Sequence, residues 1–163
     1  MTHQPGAYIH KVRVGVVLVH ADRLLLARQN DRPFWVFPGG TLEAGETLAA
    51  CGAREIREET GLTVAIGPLL SVSEFFRDTA DGPRQTIDVL FLGDNPQGTL
   101  CMETTENLNE LAWFTRAEVA AMTLQPQEAA MAALAAWDNG FQDIRAEYLS
   151  GACAPAAGKA SRP

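Results

Sequence analysis

The sequence has few cysteines, no long apolar run and a shortage of positive charge, and each lack excludes a class of protein. Its three cysteines, Cys51, Cys101 and Cys153, are odd in number and far apart, so they predict neither a disulfide framework nor a zinc site. No apolar run approaches the roughly eighteen residues of a membrane span, and residues 1–10 lack the pattern of a secretory signal. We therefore expect a soluble protein in a reducing cytoplasm, with no membrane partner.

Lysine and arginine together number 13, against 20 aspartate and glutamate residues, which makes the formal charge −7. A surface with that average charge repels a phosphate backbone, so nucleic acid is disfavoured as a partner. The same charge suits a protein that binds divalent cations and approaches anionic substrates through them.

The 163 residues, 47% hydrophobic and 20% charged, suit one globular domain with a packed core. We assign residues 1–150 to that domain. Residues 151–163 are rich in Ala, Gly, Pro and Ser and have little to bury, which predicts a disordered tail. A homodimer is left open.

The order of patterns along the chain mixes strands with helices. Apolar and β-branched runs predict strands over Lys11–His20, Asp22–Arg28, Phe34–Phe37, Thr63–Phe76, Gln85–Gly93 and Leu111–Thr115. Helices are predicted over Thr47–Thr60, with Thr47 as N-cap and Gly61 as C-cap, and over Arg116–Met122 and Pro126–Trp137. The charged segment Arg77–Arg84 is predicted as a turn, and Pro38-Gly39-Gly40 is predicted to break any regular element.

The segment from Gly40 to Leu62, GTLEAGETLAACGAREIREETGL, places acidic residues at helical spacing. At about 100° per residue, Glu55, Glu58 and Glu59 occupy one arc of the predicted helix, while apolar residues such as Ile56 lie on another face. Carboxylates within one turn repel each other by about 0.2–0.5 kcal/mol per close pair, and a bound cation would reverse that cost. Oxygen ligands of this kind favour magnesium or manganese.

The ordinary alternative for a glutamate-rich segment is a charged helix face in contact with solvent. The preceding Pro38-Gly39-Gly40 favours a ligand site, because glycine lets the backbone come close to a ligand and offer carbonyl oxygens to a metal. Trp35 and Phe37, just before it, alternate along a predicted strand and are interpreted as core residues. Loop and helix together form one candidate site.

These residues resemble the signature of the Nudix hydrolase family, which is Gly, five residues, Glu, seven residues, then Arg-Glu-apolar-x-Glu-Glu-x-Gly-apolar. Every specified position is matched, by Gly40, Glu46, Arg54, Glu55, Ile56, Glu58, Glu59, Gly61 and Leu62. The preceding WVFPGG also looks like the family's lead-in. The box covers 23 of the 163 residues, and the order of strands around it extends the resemblance over most of the chain.

The resemblance implies an α/β fold, a Nudix-type α/β/α sandwich with a mixed, partly curled β-sheet. The helix of Glu55 would cover one side of the sheet and the C-terminal helices the other. The resemblance also implies that Glu55, Glu58 and Glu59 bind Mg2+, or alternatively Mn2+, together with the carbonyl of Gly39.

The remaining box positions would support catalysis. By resemblance, Arg54 would orient Glu55, while Gly40 and Glu46 would brace the loop against the helix. In such enzymes water attacks phosphorus, with metal polarising the phosphoryl oxygens. Glu55 is our first choice for the general base.

Residues outside the box could complete the site. The family often supplies one further acid from a loop after the main sheet, where Glu106 and Glu110 are the candidates and Glu103 lies in the same region. An acidic surface loop is the alternative for these residues. Arg28 and Arg32 could contact substrate phosphate, although single arginines are usually solvated.

The function implied is that of a Nudix pyrophosphohydrolase acting on acid anhydrides. It would cleave the pyrophosphate bond of a nucleoside diphosphate linked to another moiety, so that its small-molecule substrate is a nucleoside triphosphate, ADP-ribose or another nucleotide sugar, or a dinucleoside polyphosphate. Relatives that act on ADP-ribose often carry a proline downstream of the box, where this chain has Arg77-Asp78-Thr79, which weakens that subtype.

Two alternatives keep the resemblance but change the function. A non-catalytic nucleotide-sensing Nudix-like module would be expected to lose acids from the helix, and none is missing here. An RNA 5′-end pyrophosphohydrolase would keep the chemistry but needs a basic path for RNA, which the overall acidity disfavours.

Overall fold

The computed structural model describes residues 8–28, 32–101 and 110–150. Within these ranges the strands are β1 (Ile9–Val17), β2 (Val19–His20), β3 (Arg23–Arg28), β4 (Gly39–Thr41), β5 (Thr63–Thr79), β6 (Gly82–Gln97), β7 (Glu110–Thr115) and β8 (Glu147–Ser150). The helices are α1 (Leu48–Thr60), α2 (Arg116–Ala120) and α3 (Gln127–Asp138).

Five strands form a mixed sheet in the order β4-β1-β6-β5-β8, and β2, β3 and β7 form a smaller antiparallel sheet. In the larger sheet β1 runs parallel to β6, while β4 and β5 run antiparallel to their neighbours β1 and β6. Strand β5 shows register shifts between Thr63 and Ser71. Such bulges bend a strand and increase its twist, which fits the predicted partial curl.

The two faces of β1 pack against different helices. Val16 belongs to an apolar cluster with Ile56 of α1, whereas Val17 belongs to a second cluster with Ala129 and Ala133 of α3. Successive residues of a strand point to opposite faces, so α1 and α3 cover opposite sides of the sheet. The predicted α/β/α sandwich is confirmed.

Helix α1 begins and ends where its capping residues predict. The Thr47 side chain accepts a hydrogen bond from the backbone N–H of Ala50 at 3.1 Å, and Gly61 ends the helix with a left-handed φ of 73°. A Cβ added to Gly52 would lie 3.2 Å from Val16 and 3.3 Å from Ile66. The helix therefore packs close to the sheet, which holds its acidic residues near β4.

The prediction of a turn over Arg77–Arg84 was wrong. Strands β5 and β6 pair as far as Thr79 and Gly82, which leaves only Ala80 and Asp81 between them. Backbone pairing along the long hairpin outweighs the charged composition of the segment. As a result, Arg77 and Arg84 lie directly opposite each other on neighbouring strands.

The segment before α1 also differs from the prediction. Trp35 and Val36 form isolated bridges to Leu124 and Ala27 and no continuous strand. Conversely, the segment beginning at Gly39, predicted to be irregular, pairs with β1 as strand β4. Its backbone can pair because the missing side chain of Gly39 leaves room beside Val14.

The C-terminal helices differ from the prediction at their ends: α2 is two residues shorter, and α3 is shifted by one residue at unchanged length. Helix α2 ends at Ala120, and Pro126 is the N-cap of α3 with extended backbone angles, so it precedes the first helical residue. Strand β8 was not predicted. No helix in the described residues has the length and apolar composition to cross a membrane. The predicted tail, residues 151–163, lies outside the described residues.

Candidate active site

Arg54 links the acidic residues of the helix to the preceding loop. Its guanidinium donates to both carboxylate oxygens of Glu46, with distances of 3.1 and 2.7 Å, and to Glu55 at 2.9 Å. It also donates to Glu58 at 3.2 Å and to the backbone carbonyl of Thr41 at 3.2 Å. One side chain therefore holds carboxylates from two segments in fixed relative positions.

The Arg54–Glu46 pair changes the acidity of both partners. Hydrogen bonds from Arg54, together with one from the backbone N–H of Glu43, lower the pKa of Glu46 to about 2. The same contact with Glu46 raises the pKa of Arg54. Glu46 is thus ionised throughout the neutral range and joins the loop to α1, as the resemblance implies for this position.

Glu55 lies against the backbone of β4. A Cβ added to Gly40 would overlap the Glu55 carboxylate, so only glycine leaves room for it. The Glu55 side chain is 14% exposed, whereas that of Glu58 is 55% exposed. Glu55 is consequently oriented on one side by Arg54 and on the other by the backbone of Gly40.

Glu59 is held by the other glycine of β4. The backbone N–H of Gly39 donates to its carboxylate at 2.9 Å. Burial raises the pKa of Glu59 to about 7, although the bond from Gly39 and the charge of Arg13 act in the opposite direction. The loop and helix of the predicted site therefore meet through direct contacts.

The donors beside β4 fit a divalent cation by type. Glu55, Glu58 and Glu59 supply only oxygen atoms, and Gly40 leaves the space in which the Glu55 carboxylate lies. In the described part of the chain, no group of three or more Asp, Glu, His or Cys side chains is already arranged to hold a metal ion. Glu55 and Glu58 instead contact Arg54, and Glu59 contacts Gly39. Binding a cation there requires these side chains to change partners.

A cavity of about 320 Å³ opens beside these acids. Gly39 and Gly40 line one end, and side chains from β1, β5 and β6 line its wall. Phe34 and Phe75 contribute aromatic surface. Its volume lies at the small end of the range usual for ligand pockets, about 300–1,000 Å³.

Arg13 and Asp88 form a buried ion pair in this cavity that the sequence reasoning missed. The Arg13 guanidinium donates to Asp88 at 2.9 Å and to the Phe37 carbonyl at 2.6 Å. Burial alone would lower the pKa of Arg13, but Asp88 raises it overall. The alternation Lys11-Val12-Arg13 was the available signal, because it places two cations on one face of β1.

The arginines and acids predicted outside the box have different surroundings. Arg32 lines the cavity, with its guanidinium 5.6 Å from the centre of the Phe34 ring. Arg28 contacts the Trp35 ring and forms an ion pair with Glu110, and neither of these two charged residues lines the cavity. The other two acids, Glu103 and Glu106, lie outside the described residues.

Both aromatic residues interpreted as core pack inside the protein. Phe37 is buried in the cluster beside α3, and Trp35 packs edge-to-face on Phe114 with 4.8 Å between ring centres. Cys51 is buried in α1, as expected of a small apolar side chain. Phe34 and Val36, which alternate with the core residues, line the cavity instead.

The α/β/α sandwich, with a carboxylate-rich helix against a glycine strand, is what the resemblance to phosphate-bond hydrolases implies, and comparison with known proteins agrees. A family model described as NUDIX domain matches residues 9–137. A MutT-like protein of Streptomyces ambofaciens is 36% identical over 112 residues, which cover 68% of either chain. The chain belongs to the Nudix family, and the prediction of a Nudix pyrophosphohydrolase is confirmed.

Two further comparisons bear on the size and fold of the chain. The NAD-capped RNA hydrolase NudC of Mycobacterium tuberculosis is 39% identical over 110 residues, which cover 65% of this chain and 33% of NudC. This chain therefore matches about a third of that protein. The crystal structure of a MutT protein from Bacillus halodurans has a TM-score of 0.69 at 23% identity, covering 86% of this chain and 88% of that one. That likeness shows a shared fold.

Proposed function

We propose that this protein is a magnesium-dependent hydrolase that cleaves the pyrophosphate bond of a nucleoside diphosphate linked to another group. The observation that carries the proposal is the set of contacts made by Arg54 and β4. They bring Glu46, Glu55, Glu58 and Glu59 together beside β4, whose Gly39 and Gly40 line a cavity of about 320 Å³.

Each box residue has a distinct part in the proposed reaction. Glu55, Glu58, Glu59 and the Gly39 carbonyl would hold the cation, which when bound polarises the phosphoryl oxygens and lowers the pKa of the attacking water. Glu55 would accept the water's proton, and Arg54 would keep that carboxylate aligned. Glu46 keeps Arg54 in place through two hydrogen bonds.

All three helix carboxylates of the family signature are present in α1, which favours an enzyme over a nucleotide-sensing module. Three carboxylates cost repulsion that binding of a nucleotide alone would not require. Burial of Glu59 against Gly39 adds a desolvation cost. Those costs are accounted for if the acids act on the diphosphate through a cation.

A substrate panel tests the proposal. We would incubate the protein with nucleoside triphosphates, ADP-ribose, other nucleotide sugars, dinucleoside polyphosphates and NAD, and detect released phosphate and nucleotide. NAD belongs in the panel because the NudC relative carries it in its name. Turnover of at least one compound with Mg2+ or Mn2+, and its loss in excess chelator, is expected. Full turnover in chelator, or nucleotide binding without any turnover, would contradict the proposal.

A further inference from the structure

Three neighbouring strands place side chains in rows on the cavity face of the sheet. Lys11 of β1 pairs with Thr86 of β6, and Thr86 pairs with Phe75 of β5. Two residues further from β4, the next row contains Arg84 and Arg77. Paired residues share a face of the sheet. Along this face, the row nearest the acids contains Arg13 and Asp88, and the row farthest from them contains two arginines.

The cavity is lined by more positive than negative side chains, although Arg84, opposite Arg77, lies 4.0 Å from Asp81. Lys11, Arg32 and Arg77 all line the cavity, and none of them forms an ion pair with any residue that the structure describes. The cavity's carboxylate, Asp88, is already paired with Arg13. In a chain whose formal charge is −7, this concentration of unpaired cations needs an explanation.

These cations also repel one another. Arg77 lies directly opposite Arg84, and like charges in that position destabilise a sheet. Desolvation lowers the pKa of Arg77, and Arg32 and Arg84 lower it further. Stability of the free protein therefore gives no reason for the arrangement, whereas an anionic ligand would.

Polar atoms without partners occur in all three of these rows of the sheet. The Nε of Arg77, the Nε of Arg84, the Oγ1 of Thr86 and the Oδ2 of Asp88 are buried, and none of them has a hydrogen-bond partner in the described structure. Buried polar groups are normally bonded. Arg77 and Thr86, which also line the cavity, therefore leave an unused N–H and an unused hydroxyl beside it.

An anion bound between Arg77 and Arg84 would be separate from a diphosphate bound beside Arg13 and Asp88. Arg77 and Arg84 lie four residues along the sheet from the row of Arg13 and Asp88, which corresponds to about 13 Å at the usual rise of a strand. A diphosphate is much shorter than that distance. A nucleoside fits the interval, where Phe34 and Phe75 offer aromatic surface to a base.

We propose that the far end of the cavity recognises a second phosphate, a monoester on the ribose of the substrate, with Arg32 and Arg77 as its main ligands and Lys11 beside them. This inference rests on the proposed hydrolysis and narrows its substrate class to nucleotides phosphorylated at a second position. The cation beside Glu55 and Glu59 would hold the scissile diphosphate, and the arginines would hold the ribose phosphate.

The test compares matched compounds that differ only by the ribose phosphate. The pairs are coenzyme A with dephospho-coenzyme A, and NADPH with NADH, each assayed for kcat/KM with Mg2+. We expect the phosphorylated member of at least one pair to be favoured by about 10- to 100-fold, mainly through KM, as for loss of one charge-assisted hydrogen-bonded contact. Equal values within both pairs would overturn the proposal.

Substitutions of the arginines test whether they cause the preference for the phosphorylated compound. Arg32→Gln and Arg77→Gln should each bring the ratio within the favoured pair toward one, while the matched control Arg23→Gln, an exposed arginine outside the cavity, should leave it unchanged. Arg77→Gln should fold with an equal or higher Tm, because it removes a repulsive pair. A preference that survives both cavity variants would overturn the assignment.

A binding measurement separates this inference from the proposed hydrolysis. Calorimetry without metal should show adenosine 3′,5′-bisphosphate or 2′,5′-bisphosphate binding about tenfold or more tightly than AMP, with the difference lost in Arg77→Gln. That result with no turnover of any compound would support the second-phosphate site and refute hydrolysis. If a short NAD-capped RNA binds more tightly than NAD by a larger factor than either bisphosphate binds relative to AMP, the small-molecule assignment is refuted.

Discussion

At the scale of single residues, the site depends on the geometry of a guanidinium. Arg54 contacts three carboxylates and a backbone carbonyl at once. Only a planar group with several donors in fixed directions can do this, so lysine is not an equivalent replacement. The positions of Glu55 and Glu58 are therefore coupled to Glu46, which lies in a different segment.

Neutralising the acids of α1 should remove activity without unfolding the protein. Glu55→Gln and Glu59→Gln are each expected to reduce kcat by about 10²–10⁴-fold, the scale of lost acid–base or electrostatic stabilisation. Glu128→Gln, an exposed change in the first turn of α3, is the control and should retain turnover. Steady-state kinetics with circular dichroism would check this, and near-normal kcat in both α1 variants would refute their catalytic role.

Glu46 should make stability depend on pH in the acid range. Its pKa in the folded protein is about 2, below the ordinary 4.5, because Arg54 stabilises the ionised form. A lowered pKa adds stability that is complete above the unfolded value and is lost as pH falls toward the folded one. The difference in unfolding free energy between wild type and Glu46→Gln should therefore shrink between pH 5 and about pH 2.5.

Urea unfolding of both proteins at these pH values measures that difference. Other carboxylates titrate in the same range in both proteins, so the comparison cancels their contributions. A difference that stays constant with pH would show that Arg54 does not depend on the charge of Glu46.

At the scale of elements, the geometry of the candidate site depends on how closely α1 approaches β4. The backbone of Gly39 donates to Glu59, and Gly40 leaves space for Glu55. Gly52, one helical turn before Ile56, lets α1 pack against β1. Helix α1 and strand β4 thus form a single unit.

Adding one methyl group at Gly40 should disturb that unit. Gly40→Ala places a Cβ where the Glu55 carboxylate lies, so Glu55 must move and kcat should fall by about 10²-fold. Gly45→Ala is the control, since a Cβ there meets nothing within 4 Å and costs only backbone strain at φ 86°. Kinetics of the two variants at equal folded concentration would decide, and equal activity would refute the close contact.

At the scale of the whole molecule, charge is segregated in spite of the net value of −7. Acidic residues collect on α1 beside Gly39, whereas Lys11, Arg32 and Arg77 line the neighbouring cavity. Repulsion within the acidic group should lower the stability of the metal-free fold. A divalent cation that binds only the folded chain should reverse this effect.

Magnesium is therefore expected to raise the melting temperature of the whole domain. At about 100 times its Kd a ligand adds about 2.7 kcal/mol, which corresponds to a rise of several degrees for a domain of this size. Glu59→Gln should lose most of the rise, whereas Glu128→Gln should keep it. Thermal scans with NaCl at equal ionic strength exclude a general salt effect, and a flat response in wild type would argue against a metal site in α1.

Local spacing along the chain was enough to predict the catalytic helix. The interval between Thr47 and Gly61, together with the placement of Glu55, Glu58 and Glu59, specifies α1, its caps and its acidic face, because helical geometry depends only on near neighbours. The contact of Arg54 with Glu58, one turn apart, follows from the same rule. The resemblance added the order of strands and the two faces of the sheet.

Long-range pairing decided which charged residues line the cavity. Arg13 and Asp88 are 75 positions apart, and Arg77 faces Arg84 only because β5 and β6 pair as far as a two-residue turn. Composition alone suggested a charged turn there, since the identity of a strand's neighbour is not encoded in its own residues. The acids could be found from a single helix, whereas the cations that complete the cavity come from β1, β5 and the segment before β4, and only the folded sheet brings them together.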